Sequence, residues 1–275
     1  MRIPDIEPEL LAKACDGDLA ALDEVVVAVQ PGVFNLAVRI LGNREDARDA
    51  CQEILLKIVT RLSSFRGESA FGTWVWRVAH NHLMTAATRT RETVSLEEIG
   101  TRLEAGLAFG AAAGRGTLLT PEEKAEARDV AVNCTQGMLM ALDRDQRLAY
   151  VLDVVFGLSS EEAAAVAEIE PAAHRKRLSR ARARLEGFLK STCGLVSPDV
   201  PCRCDRQLAA LRAHARAEPL APRVTRQEAS AAYDALRTLY ETTGVFRAHP
   251  TYAPPGALVE AIRAALGAVR PAPES

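Results

Sequence analysis

Apolar residues in this chain follow the period of an α-helix. Between residues 44 and 65 they recur every three or four positions, as Ala47, Cys51, Ile54, Leu55, Ile58 and Leu62 do, so they lie on one side of a helix. No segment of useful length alternates apolar and polar residues, as a half-buried strand would. Aromatic residues, which favour strands, are only 5% of the chain. These patterns predict an all-α protein.

Glycine and proline interrupt the helical pattern twice. Five glycines crowd residues 100–116, and the segment 93–119 is predicted to be a flexible linker. The second interruption is 193–204, which contains two prolines and a glycine. The 275 residues therefore divide into helical domains and an extension. The predicted ranges are 1–92 and 120–191 for the domains and 192–275 for the extension, with extension helices at 206–217, 226–240 and 256–266.

Charge is uneven along the chain although the net charge is only -2. Residues 1–60 hold 6 Lys and Arg against 11 Asp and Glu, whereas residues 61–91 hold 5 against 1. Residues 174–190 carry seven basic residues and one acid. Two basic patches separated by acidic sequence are typical of a protein that contacts phosphates locally and meets other partners through its acidic parts.

A helix is predicted to begin near Thr73, after a turn that contains Gly67. Both tryptophans of the chain, Trp74 and Trp76, lie on it among Arg77 and Asn81. Rings stack on splayed bases, amides bind base edges and guanidinium groups hold phosphates. The alternative is that the tryptophans are core residues.

The segments 46–57 and 65–81 resemble region 2 of bacterial extracytoplasmic-function sigma factors, which belong to the sigma-70 family. The resemblance implies that the acidic helix binds a coiled coil of the RNA polymerase beta-prime subunit. It also implies that the helix after the turn opens the minus-10 element and holds a flipped base. The residues implicated by position are Asp49, Gln52, Glu53 and Leu56 for polymerase, and Trp74, Arg77 and Asn81 for DNA. The aromatic pattern described above adds Trp76 to the DNA-binding set.

A helix-turn-helix is predicted over 159–188. Ser159 and Glu162 have the spacing of a capping box, and Pro171 opens a second, basic helix. On that helix His174 is expected in the core. Such a helix can enter the major groove, and the alternative is a two-helix packing unit with a solvated basic face.

The segments 157–163 and 175–185 resemble region 4 of the same family, which reads the minus-35 element. Matching positions implicate Arg175, Lys176, Ser179 and Arg180 in DNA binding. The resemblance implies a non-enzymatic initiation subunit whose partners are the beta-prime and beta subunits of core RNA polymerase, promoter DNA and, in some members, an anti-sigma factor. The alternative is a stand-alone helix-turn-helix regulator with a sensing tail.

Three of the six cysteines cluster in the extension, at Cys193, Cys202 and Cys204. Thiolates bind zinc or copper, and a closed zinc site needs a fourth ligand, for which His214 is a candidate. The alternative is a proline-shaped turn with incidental or redox-active thiols. The other three cysteines are expected to be small core residues. The resemblance implies no required cofactor. No apolar run approaches the roughly 18 residues of a membrane span, so a cytoplasmic protein is expected.

Overall fold

The computed structural model describes residues 2–86, 94–112, 119–214, 226–236, 241–248 and 250–269. Over these ranges the chain forms thirteen α-helices, α1 to α13, and no β-strand. The all-α prediction is confirmed.

The chain forms two compact units, each assembled from separated segments. Unit 1 contains residues 1–91, 156–174 and 252–275, and unit 2 contains residues 92–155 and 175–251. Compactness therefore groups part of the predicted 120–191 domain with the N-terminal residues. The predicted boundaries, which follow sequence patterns rather than contacts, stay a prediction.

Unit 1 is built around α2, a 23-residue helix with Asp18 as its cap. Helices α1, α3, α4 and α13 pack on it, and α8 packs on α4. The predicted stripe of α3 is buried, because Ala47, Cys51, Ile54, Leu55, Ile58 and Leu62 are each at most 1% exposed. The helices are α1 (Pro8–Cys15), α2 (Leu19–Leu41), α3 (Arg44–Arg61), α4 (Phe71–Ala86), α8 (Ser160–Ala167) and α13 (Ala257–Val269).

Helix α2 is long and apolar enough to cross a membrane, contrary to the expectation that no such run exists. Its most apolar window is 78% buried, however. The run is broken in sequence by Pro31, Gly32, Asn35 and Arg39, of which the polar pair is buried with the rest. Burial against four other helices is typical of a central core helix.

Unit 2 combines helices from the middle of the chain with helices of the extension. Its apolar core joins Ala127 and Ala131 of α6 to Leu208, Tyr233 and Val245 of the extension. The helices are α5 (Leu96–Ala112), α6 (Pro121–Met140), α7 (Arg144–Tyr150), α9 (Pro171–Thr192, from residue 175 onward), α10 (Leu208–His214), α11 (Arg226–Leu236) and α12 (Thr242–Arg247). The capping box predicted at the start of α6 is present at Thr120 and Glu123.

The prediction of a flexible linker over 93–119 is wrong for residues 96–112, which form α5. Its glycines allow close packing: a Cβ at Gly110 would lie 2.5 Å from the carbonyl oxygen of Arg206. Gln207 also donates from Nε2 to the carbonyl oxygen of Leu103, at 2.8 Å. The glycines therefore serve a helix contact and not a flexible chain, while residues 113–118 lie outside the described residues.

The extension contributes to both units. Helices α10, α11 and α12 belong to unit 2, and the segment from Tyr252 to α13 belongs to unit 1. Helix α12 was missing from the prediction because its six residues are too few to show a stripe.

Candidate nucleic-acid interface

An open cleft of about 990 Å³ lies between α3 and α4 in unit 1. Acidic and basic side chains of α3 line one wall, and three of the four α4 residues predicted to contact DNA, all except Trp76, line the other. The α3 wall includes Asp46, Asp49, Glu53, Lys57 and Arg61, and the α4 wall includes Trp74, Arg77, Asn81, His82 and Thr85. The cleft thus brings together residues predicted for polymerase and for DNA.

Trp74 is held by two phenylalanines at the entrance to α4. Its ring centroid is 5.7 Å from that of Phe65 and 5.8 Å from that of Phe71, and Phe65 meets Phe71 edge-on at 5.4 Å. The turn before α4 contains Gly67, whose φ of 72° favours glycine. Trp74 stays half-buried. It is therefore rigidly positioned with part of its ring open to the cleft.

Trp76 is placed differently from the prediction. It is only 3% exposed and stacks on Phe156, with ring centroids 5.1 Å apart and planes inclined by 27°. On a helix, residues two positions apart point in different directions. Trp76 is therefore a core residue, and it cannot stack on a base without leaving that core.

Arg77 is half-buried and binds the C-terminal end of α8. Its Nε and Nη2 donate to the carbonyl oxygen of Ala165, each at 3.3 Å, and Nε lies 3.7 Å from the Glu168 carboxylate. Asn81, one turn further along α4, is exposed, with its Oδ1 3.0 Å from Nδ1 of His80. Asn81 is thus open to solvent, whereas Arg77 is already engaged.

His82 forms a polar pair with Lys57 across the cleft, which the sequence did not reveal. Lys57 Nζ lies 2.7 Å from His82 Nδ1, and the Glu53 carboxylate is 3.8 Å from the same nitrogen. Burial and the Lys57 charge lower the pKa of His82, against the opposing pull of Glu53. A neutral imidazole can accept a hydrogen bond from the Lys57 ammonium group at Nδ1, and its hydrogen is then on Nε2, where it can act as a donor.

The predicted polymerase-binding residues lie on the side of α3 away from its buried stripe. Asp49 and Glu53 are exposed, and Gln52 and Leu56 are half-exposed. Asp49 accepts from Arg48 at 3.0 Å, the neighbouring residue on the helix. This face is accessible and mainly polar, with Leu56 as its apolar member.

Helices α8 and α9 have the sequence features of a helix-turn-helix. The capping box of Ser159 and Glu162 is present, Glu168 ends α8 with a φ of 53°, and α9 begins at Pro171 as predicted. His174 is 1% exposed, which confirms its expected place in a core.

Two sets of basic residues on α9 differ in their surroundings. The first set, Arg175, Lys176 and Arg180, is exposed and was implicated in DNA binding, as was the exposed Ser179. Two others bind acids of unit 2, since Arg177 lies 2.9 Å from Asp145 and Arg182 lies 2.8 Å from Asp153. The second set anchors the helix, so the first set is presented on a fixed support.

Cys204 lies in the apolar core of unit 2 and Cys193 packs against that core, while Cys202 is half-buried. Among the described residues, no group of three or more His, Cys, Asp or Glu could hold a metal ion, so the suggested zinc or copper site at Cys193, Cys202 and Cys204 finds no support. His214, the candidate fourth ligand, has a side chain that lies outside the described residues. Burial is the largest cause that raises the pKa of all three thiols.

Cys134 of α6 was overlooked as a neighbour of this group. Burial raises its pKa, and the nearby Cys193 and Cys202 raise it further. Gln207 donates to Cys202 Sγ at 3.4 Å. High thiol pKa values make all four groups poor nucleophiles at neutral pH, which favours the interpretation of these cysteines as packing residues.

Comparison with known proteins agrees with these features. The Sigma-70 region 2 family matches residues 25–93, and Sigma-70 region 4 matches residues 133–185. The RNA polymerase sigma-H factor of Pseudomonas aeruginosa is 29% identical over 188 residues, which are 67% of this chain and 94% of that protein. The ECF RNA polymerase sigma-E factor of Escherichia coli K12 is 30% identical over 181 residues, which are 64% of this chain and 91% of that protein.

Two solved structures are also similar. CnrH in complex with the cytosolic domain of CnrY is 22% identical and covers 66% of this chain and 96% of that chain, with a TM-score of 0.47. RpoE in complex with the anti-sigma factor NepR, from Bartonella quintana, is 21% identical and covers 61% and 95%, with a TM-score of 0.42. Since this chain covers nine-tenths of the length of a sigma-E factor at 30% identity, it belongs to the extracytoplasmic-function sigma factors of the sigma-70 family.

Proposed function

We propose that this sigma factor binds core RNA polymerase through α3, reads the minus-35 element with α9 and melts the minus-10 element with α4. The cleft between α3 and α4 carries the proposal. It places the half-buried ring of Trp74 and the exposed amide of Asn81 beside basic and acidic side chains of α3. A ring that is fixed on two phenylalanines can stack on an unpaired base with little loss of side-chain entropy.

Two side chains on the walls of the cleft are suited to bind an extruded base. Asn81 carries both a donor and an acceptor, which suits a base edge. His82, held neutral beside Lys57, adds a donor nitrogen. We exclude Trp76 from this set because its ring is buried against Phe156.

The exposed basic face of α9 suits the major groove. Arg175, Lys176 and Arg180 are exposed, and Arg177 and Arg182 bind acids of unit 2. Guanidinium groups bind guanine edges and phosphates, and an ammonium group binds phosphates. Cytoplasmic location follows from the need to meet polymerase and promoter, and an anti-sigma factor is a further proposed partner.

The experiment is gel filtration of the chain with core RNA polymerase, followed by run-off transcription from a promoter selected by sequencing bound DNA. Co-elution and a promoter-dependent transcript support the proposal. A stand-alone regulator would instead bind duplex DNA tightly without polymerase, and no co-elution together with such binding would overturn the proposal in its favour.

A further inference from the structure

Four side chains of unit 1 form a continuous stack. Phe156 lies between Trp76, at a centroid distance of 5.1 Å, and the guanidinium carbon of Arg39, 5.5 Å from its ring centroid. The same guanidinium lies 5.2 Å from the ring centroid of Tyr252. All four residues are at most 3% exposed. A desolvated cation between two rings is attracted to both faces.

The extension supplies the outer end of this stack and is bound along α2. Asn35 pairs with the backbone of Tyr252 in both directions: Nδ2 donates to its carbonyl oxygen at 2.7 Å, and Oδ1 accepts from its N–H at 2.8 Å. Leu258 and Ile262, six and ten residues after Tyr252, are buried. Arg263 then makes a two-pronged ion pair with Asp23 of α2, at 2.6 and 2.7 Å. Backbone hydrogen bonds, buried apolar side chains and an ion pair therefore all bind the segment 252–263 to unit 1.

The stack connects α4, which carries Trp76 at its other end, to the segment before α8. Phe156 lies four residues before the first residue of α8, and Arg2 fixes the start of that helix by donating to the Glu162 carboxylate and to the carbonyl oxygen of Gly157. At the other end of α8, the carbonyl oxygen of Ala165 and the Glu168 carboxylate bind Arg77. A helix C-terminus carries partial negative charge. These oxygens therefore accept hydrogen bonds from the Arg77 guanidinium group, as the oxygens of a DNA phosphate would.

We propose that the stack is a latch, in which segment 252–263 holds α8 on α4 and so withholds Arg77 from promoter DNA. The inference rests on the proposed role of α4 in melting the minus-10 element. Arg77 cannot bind the end of α8 and the DNA backbone at the same time. The closed form therefore competes with promoter binding, and the competition weakens when the latch loses its outer ring.

The test is Tyr252→Ala in the full-length chain. With core polymerase and sub-saturating promoter DNA, we expect roughly 5- to 30-fold more promoter complex than with the unchanged protein, the gain that corresponds to one lost desolvated cation-ring contact. Hydrogen exchange of the α8 amides, 160–167, is expected to be faster in the free variant, because α8 is less firmly held.

Three further variants serve as controls. Tyr252→Phe retains the ring and is expected to behave as the unchanged protein. Tyr233→Ala removes a fully buried tyrosine from unit 2 and is expected to leave α8 exchange unaltered. Arg263→Glu places a like charge beside Asp23 at an exposed position, so it loosens the segment without opening a core, with an expected two- to fivefold gain.

Each outcome decides the inference. Equal promoter binding by all proteins, or unchanged α8 exchange in both Tyr252→Ala and Arg263→Glu, overturns the latch while the proposed function stands. Weaker promoter binding by a folded Arg263→Glu also overturns it. If none of the proteins gives a promoter-directed transcript, the proposed function is overturned, and the proposed effect of the latch on DNA binding is overturned as well.

Discussion

Each unit contains one helix predicted to contact DNA. The two helices differ in which of their predicted DNA-binding side chains are exposed and which are bound to other parts of the protein. In unit 2, α9 ties its inner basic residues to Asp145 and Asp153 and leaves its outer ones exposed. In unit 1, α4 leaves Asn81 exposed but buries Trp76 and engages Arg77 with the end of α8. The comparison teaches that basic sequence alone does not reveal which charges are ready for DNA, because a guanidinium can equally satisfy carbonyl and carboxylate oxygens of its own chain.

The largest expected effect concerns α4. Trp74→Ala is expected to reduce promoter opening by roughly 5- to 150-fold, since a lost base stack costs about 1 to 3 kcal/mol. Asn81→Ala is expected to reduce opening as well, because it removes the donor and acceptor assigned to a base edge. Binding to core polymerase is expected to persist, because both residues lie on the wall of the cleft opposite α3. Permanganate reactivity of minus-10 thymines measures opening.

A suitable control for Trp74→Ala is Phe109→Ala, which removes a half-exposed aromatic ring from α5 in unit 2. It is expected to leave thymine reactivity unaltered. Full reactivity in both α4 variants would remove these residues from the melted strand, and the contrast between the two helices would then rest on α9 alone.

The second effect concerns the exposed face of α9. Arg180→Ala is expected to weaken binding to a minus-35 duplex roughly tenfold, the usual strength of an arginine contact to a base edge. If Arg180 instead neutralises a phosphate, the slope of log affinity against log salt falls by about 1. Fluorescence anisotropy over a salt series distinguishes these roles.

Arg177→Ala is the matched control, because Arg177 is on the same helix but bound to Asp145. It is expected to change duplex affinity less than Arg180→Ala does. An equal loss in both variants would mean that the helix responds only to its total charge, which would contradict the division of α9 into anchoring and DNA-facing residues.

A third effect tests the acidic helix of unit 1. Gln52→Ala combined with Leu56→Ala is expected to weaken core polymerase binding about fivefold or more, as interface positions that matter cost over 1 kcal/mol. Both side chains are half-exposed and outside the buried stripe, so circular dichroism should remain unchanged. Val27→Ala, at an apolar residue of α2 that is 48% exposed, controls for loss of surface apolar area. If the double variant still forms the complex fully, this face of α3 does not bind core polymerase and is only solvent-exposed.

Local features of the sequence predicted the helices well. The α3 stripe and the capping boxes at Thr120 and Ser159 depend on residues within one or two turns, and all three are present. Features that depend on distant partners were wrong or missed. Trp76 is buried because Phe156, 80 positions later, covers it, and α5 forms where Gly110 lets Arg206 approach. Neither partner is visible from the local pattern.

The candidate site shows the same division. Exposure of Arg175, Lys176 and Arg180 follows from the period of α9, and the resemblance to region 4 indicated the same residues. The engagement of Arg77 by Ala165 and the pairing of Lys57 with His82 join separate segments. So does the approach of Cys134 to the extension cysteines. Such contacts depend on tertiary packing, which single-sequence periodicity does not encode.

A last effect, on stability rather than on binding, distinguishes the two units by pH. Unit 2 contains four thiols whose pKa values burial raises, at Cys134, Cys193, Cys202 and Cys204. In unit 1, burial raises the pKa of Cys51 to about 12, and Cys15 is shifted upward as well. Because the pKa values are raised in the folded state, the thiols lose their protons at a lower pH in the unfolded chain than in the folded protein. Stability is thus complete below pH 9, the ordinary thiol value, and falls as pH rises above it.

Each fully buried thiol is expected to cost at most about 1.4 kcal/mol of unfolding free energy per pH unit above 9. Unit 2 should therefore loosen before unit 1 between pH 9 and 11. Hydrogen exchange of the α6 and α11 amides follows unit 2, and tryptophan fluorescence follows unit 1, which contains both tryptophans. Cys204→Ala should reduce the pH dependence of unit 2 and Cys51→Ala that of unit 1. Loss of both signals at one pH in every variant would show that the thiols do not set the difference, and that the two units unfold together.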